Sequence, residues 1–506
     1  MNSPGSSFRA DYPCSRPTPL LVALLIAASC ACSQEFWPQF RGPNGQGLST
    51  SALPPLTFSK SNAVWSVDVP FGHSSPCVWG NKIFLTSFDS QQLECRAYDR
   101  DTGKLLWAKL VTVDKIEHTH PFSNPASATP AADADHVIFY VASYGLLAYT
   151  HEGKLAWEKK LAQQVSRGQY GSGTSPVLCN ELVVLALDSD EGGSRLLAFK
   201  RANGQLSWET PRPLIAAGWS TPVVWNKAGG SEIVLLGSKK LVSYNPVDGR
   251  ELWSVPGFTV ETACSPALDA DRVFACSAGL GGRSSLHFEP SAWVQLLQLD
   301  ANKDGKIQID EVPDDFRLAM RPELPEGHPG RLLPFNVRDM LRGIDEDKDG
   351  AASENEWKKA EQGFEQSDVP VLMALRPGQF PKSEDRVAWT YGKGIPEIPS
   401  PLAYDGKLFL IRDGGLLQCM DTQTGTVLYH ERLGVPGGYA ASPVAAQHRI
   451  YLASQSGTIT VIDARSSTLS VLARNSLEER ITATPALVAK TIYVRTDKHL
   501  FAFSDK

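Results

Sequence analysis

Short apolar segments alternate with polar turns along most of this chain, and they recur at a nearly constant interval. Each repeat begins with Ser or Thr followed by Pro. It continues with three β-rich segments and ends with a pattern close to DxxTGKxxW; the first copy reads "SSPCVWGNKIFL" (74–85) and "AYDRDTGKLLW" (97–107). Apolar runs of this length, bounded by turn residues, predict strands joined by tight turns.

Eight copies of this unit are present. Their prolines are Pro76, Pro130, Pro176, Pro222, Pro266, Pro401, Pro443 and Pro485, which are 42–54 residues apart except for one gap of 135. A period near 44 residues with four strands per unit predicts an all-β, eight-bladed β-propeller, because a closed ring covers the faces that a lone four-stranded sheet leaves exposed. The last unit lacks a fourth strand. We expect residues 62–69, which precede the first unit, to complete it.

An aromatic residue stands near the end of most repeats. The set is Trp65, Trp107, Trp157, Trp208, Trp253 and Trp389, with Tyr429 in one repeat. We expect these rings to pack between neighbouring blades rather than to stack on a cofactor.

The repeats resemble those of the PQQ-like, or quinoprotein-dehydrogenase-like, propeller family. The opening "WPQFRGPNGQGLS" (37–49) is similar to the start of exported bacterial members, and the resemblance covers about residues 37–280 and 369–506. It implies a propeller and, as one alternative, a PQQ-dependent alcohol or sugar dehydrogenase. Such enzymes commonly use calcium held by propeller residues, an Asp base and a disulfide between adjacent cysteines. This chain has no adjacent cysteines and no CxxCH haem motif, so we assign it no catalytic residue and no specific PQQ ligand.

The long gap between Pro266 and Pro401 predicts an insertion between the second and third strands of the fifth blade. Two twelve-residue frames inside it, "DANKDGKIQIDE" (300–311) and "DEDKDGAASENE" (345–356), match the calcium loop of an EF-hand, each flanked by helical pattern. Calcium prefers hard oxygen ligands, and these frames supply them at positions 1, 3, 5, 7, 9 and 12. The predicted ligands are Asp300, Asn302, Asp304, the Lys306 carbonyl, Gln308 and Glu311 in the first loop, and Asp345, Asp347, Asp349, the Ala351 carbonyl, Ser353 and Glu356 in the second.

The N-terminus predicts export. Arg9 and Arg16 precede the apolar stretch "LLVALLIAAS" (20–29), which is too short to span a bilayer stably. Simple cleavage and lipid attachment at Cys30 or Cys32 both remain open, so the expected location is periplasmic, secreted or anchored to the outer membrane. The predicted organisation is a leader (1–32), propeller (33–280), EF-hand pair (281–368) and propeller (369–506).

The remaining evidence favours a binding or scaffold role over catalysis. The net charge of −6 and the absence of a basic run give no reason to expect nucleic acid. The expected partner is a protein, a polymer or a small molecule at the mouth of the propeller, with the EF-hand pair as lid or rim. The candidate mouth residues precede the Ser/Thr-Pro strands: His73, Asn124, Tyr170, Trp219, Glu261, Glu397, Tyr439 and Arg480.

Overall fold

The repeats fold into eight four-stranded antiparallel sheets, one for each unit that the sequence predicts. The computed structural model describes residues 36–120, 123–166, 170–213, 215–227, 229–279, 292–319, 326, 331–332, 336–365 and 369–505. The predicted leader, with Cys30 and Cys32, therefore lies outside the described residues.

In the first seven blades the four strands follow one another along the chain, from the first strand to the fourth. Blade 1 is β2 (Cys77–Trp79), β3 (Lys82–Asp89), β4 (Gln92–Asp99) and β5 (Leu105–Val111); blade 2 is β6 (Ala131–Ala132), β7 (His136–Val141), β8 (Gly145–Thr150) and β9 (Leu155–Lys160). Blade 3 is β10 (Val177–Cys179), β11 (Leu182–Leu187), β12 (Arg195–Lys200) and β13 (Leu206–Pro211); blade 4 is β14 (Val223–Lys227), β15 (Gly230–Gly237), β16 (Lys240–Tyr244) and β17 (Glu251–Pro256). Blade 5 is β18 (Ala267–Leu268), β19 (Val273–Ser277), β22 (Val371–Leu375) and β23 (Val387–Tyr391); blade 6 is β24 (Leu402–Tyr404), β25 (Lys407–Arg412), β26 (Leu416–Asp421) and β27 (Val427–Arg432). Blade 7 is β28 (Val444–Ala446), β29 (Arg449–Ala453), β30 (Thr458–Asp463) and β31 (Val471–Ser476).

Blade 8 joins the two ends of the described chain, as predicted. It combines β32 (Ala486–Val488), β33 (Thr491–Arg495) and β34 (His499–Ser504) with β1 (Trp65–Asp68). Strand β1 is antiparallel to β34, with Trp65 opposite Ala502. The N-terminal strand thus covers an edge that blade 8 would otherwise expose.

The segment between β19 and β22 forms a separate small core. It contains α1 (Ala292–Leu296), β20 (Lys306–Gln308), α2 (Val337–Ile344), β21 (Ala351–Ser353) and α3 (Glu354–Glu365). Apolar side chains from these elements, among them Trp293, Leu341 and Trp357, are buried together. We call the described part of this segment, residues 292–365, the inserted module.

The apolar core of the propeller lies between blades, and the repeated Trp residues are part of it, as predicted. In five blade pairs a Trp indole N–H donates to a backbone carbonyl in the next blade, as Trp107 does to His151 at 3.0 Å. Five of these rings lie against the glycine of the neighbouring turn; a Cβ on Gly103, whose φ is +71°, would come within 2.6 Å of the Trp65 ring. The turns of these five repeats therefore use glycine both for its left-handed conformation and for the close approach of the Trp ring.

Candidate functional site

A ring of hydrogen bonds surrounds the axis of the propeller. The Ser or Thr before each repeat proline accepts the backbone N–H of its counterpart in the preceding blade, and the eighth bond closes the circle from Thr484 to Ser75. All eight bonds are 2.9–3.1 Å long. The members of this hydroxyl ring are Ser75, Thr129, Ser175, Thr221, Ser265, Ser400, Ser442 and Thr484. The ring explains why each repeat begins with a hydroxyl side chain, a role that sequence reasoning missed.

One end of the axis is closed by residues 37–53, which we call the plug. The plug touches the first strand, or a residue directly before or after it, in every blade. Its contacts are with Val78, Ala132, Leu178, Val223, Leu268, Pro401, Ala445 and Ala489. Several are backbone hydrogen bonds, such as Trp37 N–H to the Val78 carbonyl at 2.9 Å. The plug thereby satisfies polar groups on inner strand edges that have no further strand to pair with.

Arg41 anchors the centre of the plug. It is fully buried, and its Nη2 donates to the Pro401 carbonyl at 2.6 Å. Burial lowers the pKa of Arg41 to about 10. Gly47, with φ of +74°, lets the chain pass so close to blade 7 that a Cβ would lie 2.9 Å from the Pro443 carbonyl oxygen.

Above the plug lies a cavity of about 310 Å³. Phe40 of the plug contributes to its lining, and seven of the eight ring hydroxyl residues line its wall. A second circle of residues, each three positions before a repeat proline, also lines it: His73, Ser127, Gly173, Trp219, Ala263, Ile398, Ala440 and Thr482. Positions one and three before the proline face the axis together because side chains alternate along an extended chain.

Five of the eight predicted mouth residues line this cavity, and three do not. His73, Tyr170, Trp219, Glu397 and Tyr439 are lining residues. Asn124 is instead buried in its own loop, where its Oδ1 accepts the Ala126 N–H at 2.7 Å. Glu261 and Arg480 lie outside the lining but affect it electrostatically. Burial is the main cause of the raised pKa of Tyr170, and the charge of Glu261 adds to it. Burial is also the main cause of the lowered pKa of His73, and the charge of Arg480 adds to it.

Aromatic side chains stand on one side of the cavity. Tyr170 lies edge-on to Trp219, with ring centroids 5.6 Å apart, and the centroid of the His120 ring lies 4.9 Å from that of Tyr170. The Trp219 indole N–H donates to the Gly171 carbonyl at 2.7 Å, which fixes the ring against Gly173. An apolar face of this kind, with polar groups beside it, is the usual make-up of a ligand site.

Two polar atoms on the wall are buried and have no hydrogen-bond partner among the described residues. They are Nε2 of His73 and Oγ1 of Thr482. Burial, with the positive charges of Arg480 and Arg495, lowers the pKa of His73 to about 3, so the imidazole is neutral at pH 7. The wall thus contains a neutral ring nitrogen and a hydroxyl whose hydrogen-bonding capacity is unused among the described residues.

The two predicted calcium loops share one internal hydrogen-bond pattern. In each, the glycine N–H at position 6 donates to Oδ2 of the first aspartate, Asp300 or Asp345, at 2.9 and 3.1 Å. The closing glutamates, Glu311 and Glu356, accept N–H groups from both ends of their own loops. The remaining oxygen, Oδ1 of Asp300 and of Asp345, is buried without a partner.

The acidic side chains of the second loop converge. Ligand atoms of Asp345, Asp347 and Asp349 all lie within 4.8 Å of one another, and this is the one such group of three found in the described part of the chain. Converging carboxylates with an orphaned buried oxygen fit a calcium ion. No comparable group occurs among the described residues that line the cavity.

The fold and cavity define a class: this is an eight-bladed propeller of the PQQ-like type with a plugged axial cavity. The sequence profile of the family described as "Outer membrane protein assembly factor BamB" matches residues 89–280 and 341–506. That is more than half of the chain, which therefore belongs to this family. No curated protein matches the chain in sequence.

Solved structures share the fold at low sequence identity. BamB from Moraxella catarrhalis is 8% identical, with a TM-score of 0.52 over 88% of this chain and 99% of that one. A europium-containing methanol dehydrogenase is 10% identical, with a TM-score of 0.55 over 93% and 98%. Quinohemoprotein alcohol dehydrogenase from Comamonas testosteroni is 13% identical, with a TM-score of 0.50 over 94% and 81%. At these identities the similarity shows the fold alone.

The cavity does not fit the quinone cofactor that such dehydrogenases imply. Pyrroloquinoline quinone carries three carboxylates and calls for cationic partners. The described lining instead contains Glu397 and Asp413, a neutral His73 and no Lys or Arg. A trianion would meet two carboxylates there.

Proposed function

We propose that this protein is an exported, non-catalytic binding or scaffold propeller that carries calcium in a paired EF-hand inserted into its fifth blade. The observation that carries the proposal is the combination of a polar and aromatic cavity, closed at one end, with two calcium-type loops outside it. In the described residues neither place contains a nucleophile paired with a base. The arrangement is suited to holding a ligand rather than to transforming one.

The inserted module supplies the calcium sites. The first loop would hold the ion through the six groups from Asp300 to Glu311, and the second through those from Asp345 to Glu356. The unpartnered Oδ1 atoms of Asp300 and Asp345 support this assignment, because a buried carboxylate oxygen without a partner is costly unless a cation completes it. Bound calcium would neutralise the clustered carboxylates and brace the two loops.

The calcium assignment is tested by calorimetry on the full chain and on a Glu311→Gln, Glu356→Gln double variant. We expect two calcium ions per wild-type chain and none in the variant, since each substitution removes a closing carboxylate. Undiminished uptake by the double variant would refute the assignment. Circular dichroism on both proteins checks that the propeller is intact.

The cavity is the proposed place of ligand binding, with the inserted module as lid or rim. Its neutral hydroxyls, imidazole and aromatic faces favour a neutral polar ligand, or part of a peptide or polymer, over a polyanion. The family's name is that of an outer membrane protein assembly factor. It supports a protein as partner and the exported location that the leader predicts.

Variants on the two ends of the propeller test the cavity against a panel of neutral oligosaccharides and extended peptides. Trp219→Ala and Glu397→Gln should weaken any binding that is detected. Glu181→Gln, a matched change on an exposed turn at the opposite end, should not. If only the Glu181 variant weakens binding, the ligand site lies at the end opposite the cavity and the proposal is wrong. If no probe binds the wild type, the proposal of a small ligand is refuted and a protein partner remains.

The alternative function is a PQQ-dependent alcohol or sugar dehydrogenase, which the dehydrogenase neighbours favour. Purified protein is mixed with the quinone, calcium and a panel of alcohols and sugars, and dye reduction is followed. We expect no turnover and no quinone binding because of the acidic lining. Turnover would overthrow the non-enzymatic proposal.

Export and anchoring are tested on the mature protein. No helix in the described residues is long and apolar enough to cross a membrane. Intact mass spectrometry of the mature chain distinguishes simple cleavage from diacyl attachment at Cys30 or Cys32. A chain that keeps residues 1–32 unmodified would contradict export.

A further inference from the structure

The two calcium loops differ at one point that their shared pattern does not predict. In the second loop, the carboxylate of Asp349 is paired with the ammonium of Lys306, which belongs to the first loop. In the first loop, the corresponding carboxylate of Asp304 accepts the side-chain amide N–H groups of Gln308 at 2.7 Å and Asn302 at 3.0 Å, and the backbone N–H of Lys306 at 2.8 Å. The position 5 carboxylate therefore contacts a positive charge in the second loop and amide N–H groups in the first.

The strand pairing explains why this contact runs in one direction. Strands β20 and β21 are antiparallel, with Lys306 opposite Ser353. Lys306 occupies position 7 of the first loop, and from there its side chain reaches position 5 of the second. The residue at position 7 of the second loop is Ala351, which has no side chain to reach back.

The carboxylate that Lys306 contacts belongs to the acidic cluster of the second loop. Ligand atoms of Asp345, Asp347 and Asp349 lie within 4.8 Å of one another. The ammonium therefore sits where the positive charge of a bound ion would be felt. Calcium entering this loop has to displace the ammonium or share Asp349 with it.

We propose that Lys306 is an affinity-determining residue of the calcium pair: its side chain competes with calcium for Asp349 and makes the second loop the weaker site. The inference rests on the proposed calcium function. Lys306 belongs to both sites, since its backbone carbonyl is the position 7 ligand of the first loop and its ammonium occupies the second. Filling the second loop releases the side chain, while filling the first fixes the backbone from which that side chain extends.

The experiment isolates each loop in the full chain. Glu311→Gln leaves the second loop as the site to be measured, and Glu356→Gln leaves the first. Lys306→Met, which keeps most of the aliphatic stem and removes the charge, is added to each, and calcium affinity is measured by calorimetry. In the Glu311→Gln background we expect affinity to rise roughly tenfold at low ionic strength, as removal of one charge a few ångströms from a divalent ion implies. The gain should shrink as salt is added, because both partners are exposed.

Three comparisons make the result specific. Lys306→Arg keeps the charge and should retain the weak affinity. Lys358→Met removes the same charge from an exposed pair with Glu354 on α3 and should give no comparable gain. In the Glu356→Gln background the gain from Lys306→Met should be smaller than in the second loop, because the ammonium contacts no carboxylate of the first loop.

Unchanged affinity in the Glu311→Gln, Lys306→Met protein would overturn the inference. An equal gain from Lys358→Met would also overturn it, because the effect would then be general charge. Failure of the wild-type chain to bind calcium at all is a different result, which refutes the proposed calcium function itself. If Glu311→Gln alone unfolds the module by circular dichroism, the weaker step of the two-site wild-type isotherm gives the same comparison.

Discussion

The hydroxyl ring allows a direct measurement of what one of its bonds contributes to stability. Thr221 accepts the Ser175 N–H at 3.1 Å, and both residues are almost completely buried. Thr221→Val keeps the shape of the side chain but leaves that N–H without its acceptor. Leaving a buried donor unpaired costs about 1–3 kcal/mol, so the free energy of unfolding should fall by that amount.

Thr482 provides the matched control, because it lines the same cavity and its hydroxyl has no partner among the described residues. Thr482→Val should leave the free energy of unfolding unchanged or raise it. Guanidinium unfolding followed by Trp fluorescence measures both variants. The midpoint guanidinium concentration of the Thr221 variant should fall by roughly a few tenths of a molar, because the free energy of unfolding of a chain of this size depends steeply on denaturant. Equal midpoints for the two variants would refute the view that the ring bonds hold neighbouring blades together.

Three further outcomes are expected. Removing residues 37–70 takes away both the plug and β1, so the truncated protein should aggregate through the exposed edge of blade 8; a monomer that melts at the wild-type temperature would contradict the closure. Cys264 and Cys276 are buried, neighbouring free thiols, so denatured, unreduced protein should yield six reactive thiols from the described region, whereas four would indicate a disulfide. Burial raises the pKa of Glu117 to about 8, above its unfolded value, so the contribution of Glu117 to stability is full below about pH 4.5 and is lost as pH rises toward 8. The melting temperature should therefore fall with pH over this range, and Glu117→Gln should reduce that fall. An unchanged pH dependence in the variant would show that another group causes it.

The propeller could be predicted from the sequence because the repeat pattern that encodes it is periodic. A proline every 42–54 residues marks each first strand, and the long gap before Pro401 locates the interruption in blade 5. The strand pairing confirms both, since β19 pairs with β22 across the interruption. Closure by β1 followed from the missing fourth strand of the last unit.

The plug could not be predicted in the same way, because its contacts are not periodic. Residues 37–53 touch all eight blades, at residues that are spread over more than 400 positions, and the fold must be closed before those contacts exist. The glycines at 42, 45 and 47 were the available signal. All three have positive φ, and Gly42 packs on the Trp37 ring. They pointed to a tightly packed turn but not to its location.

The mouth residues were predicted from their place before each proline without a fixed offset, so they mix positions three to six residues before it. Trp219 and His73 lie three positions before their prolines, and that position lines the cavity in every blade. Glu261 and Arg480 lie five positions before theirs and Asn124 lies six, and none of them is in the lining. Alternation along an extended strand does not separate the fifth position from the third, so this difference could not be predicted from the sequence.

Strand direction ties the cavity to the inserted module. First and second strands of a blade are antiparallel, so the end of β19 lies beside the approach to β18. This is seen where the Thr259 N–H donates to Oγ of Ser277 at 3.0 Å. The chain leaves blade 5 at that edge and returns there, since Ser277 pairs with Val371. The cavity wall is built from the approaches to the first strands, while the plug is bound farther along those strands. A ligand that reaches the cavity must therefore enter on the side where the module is attached, and this is why calcium binding and ligand binding belong to one functional hypothesis.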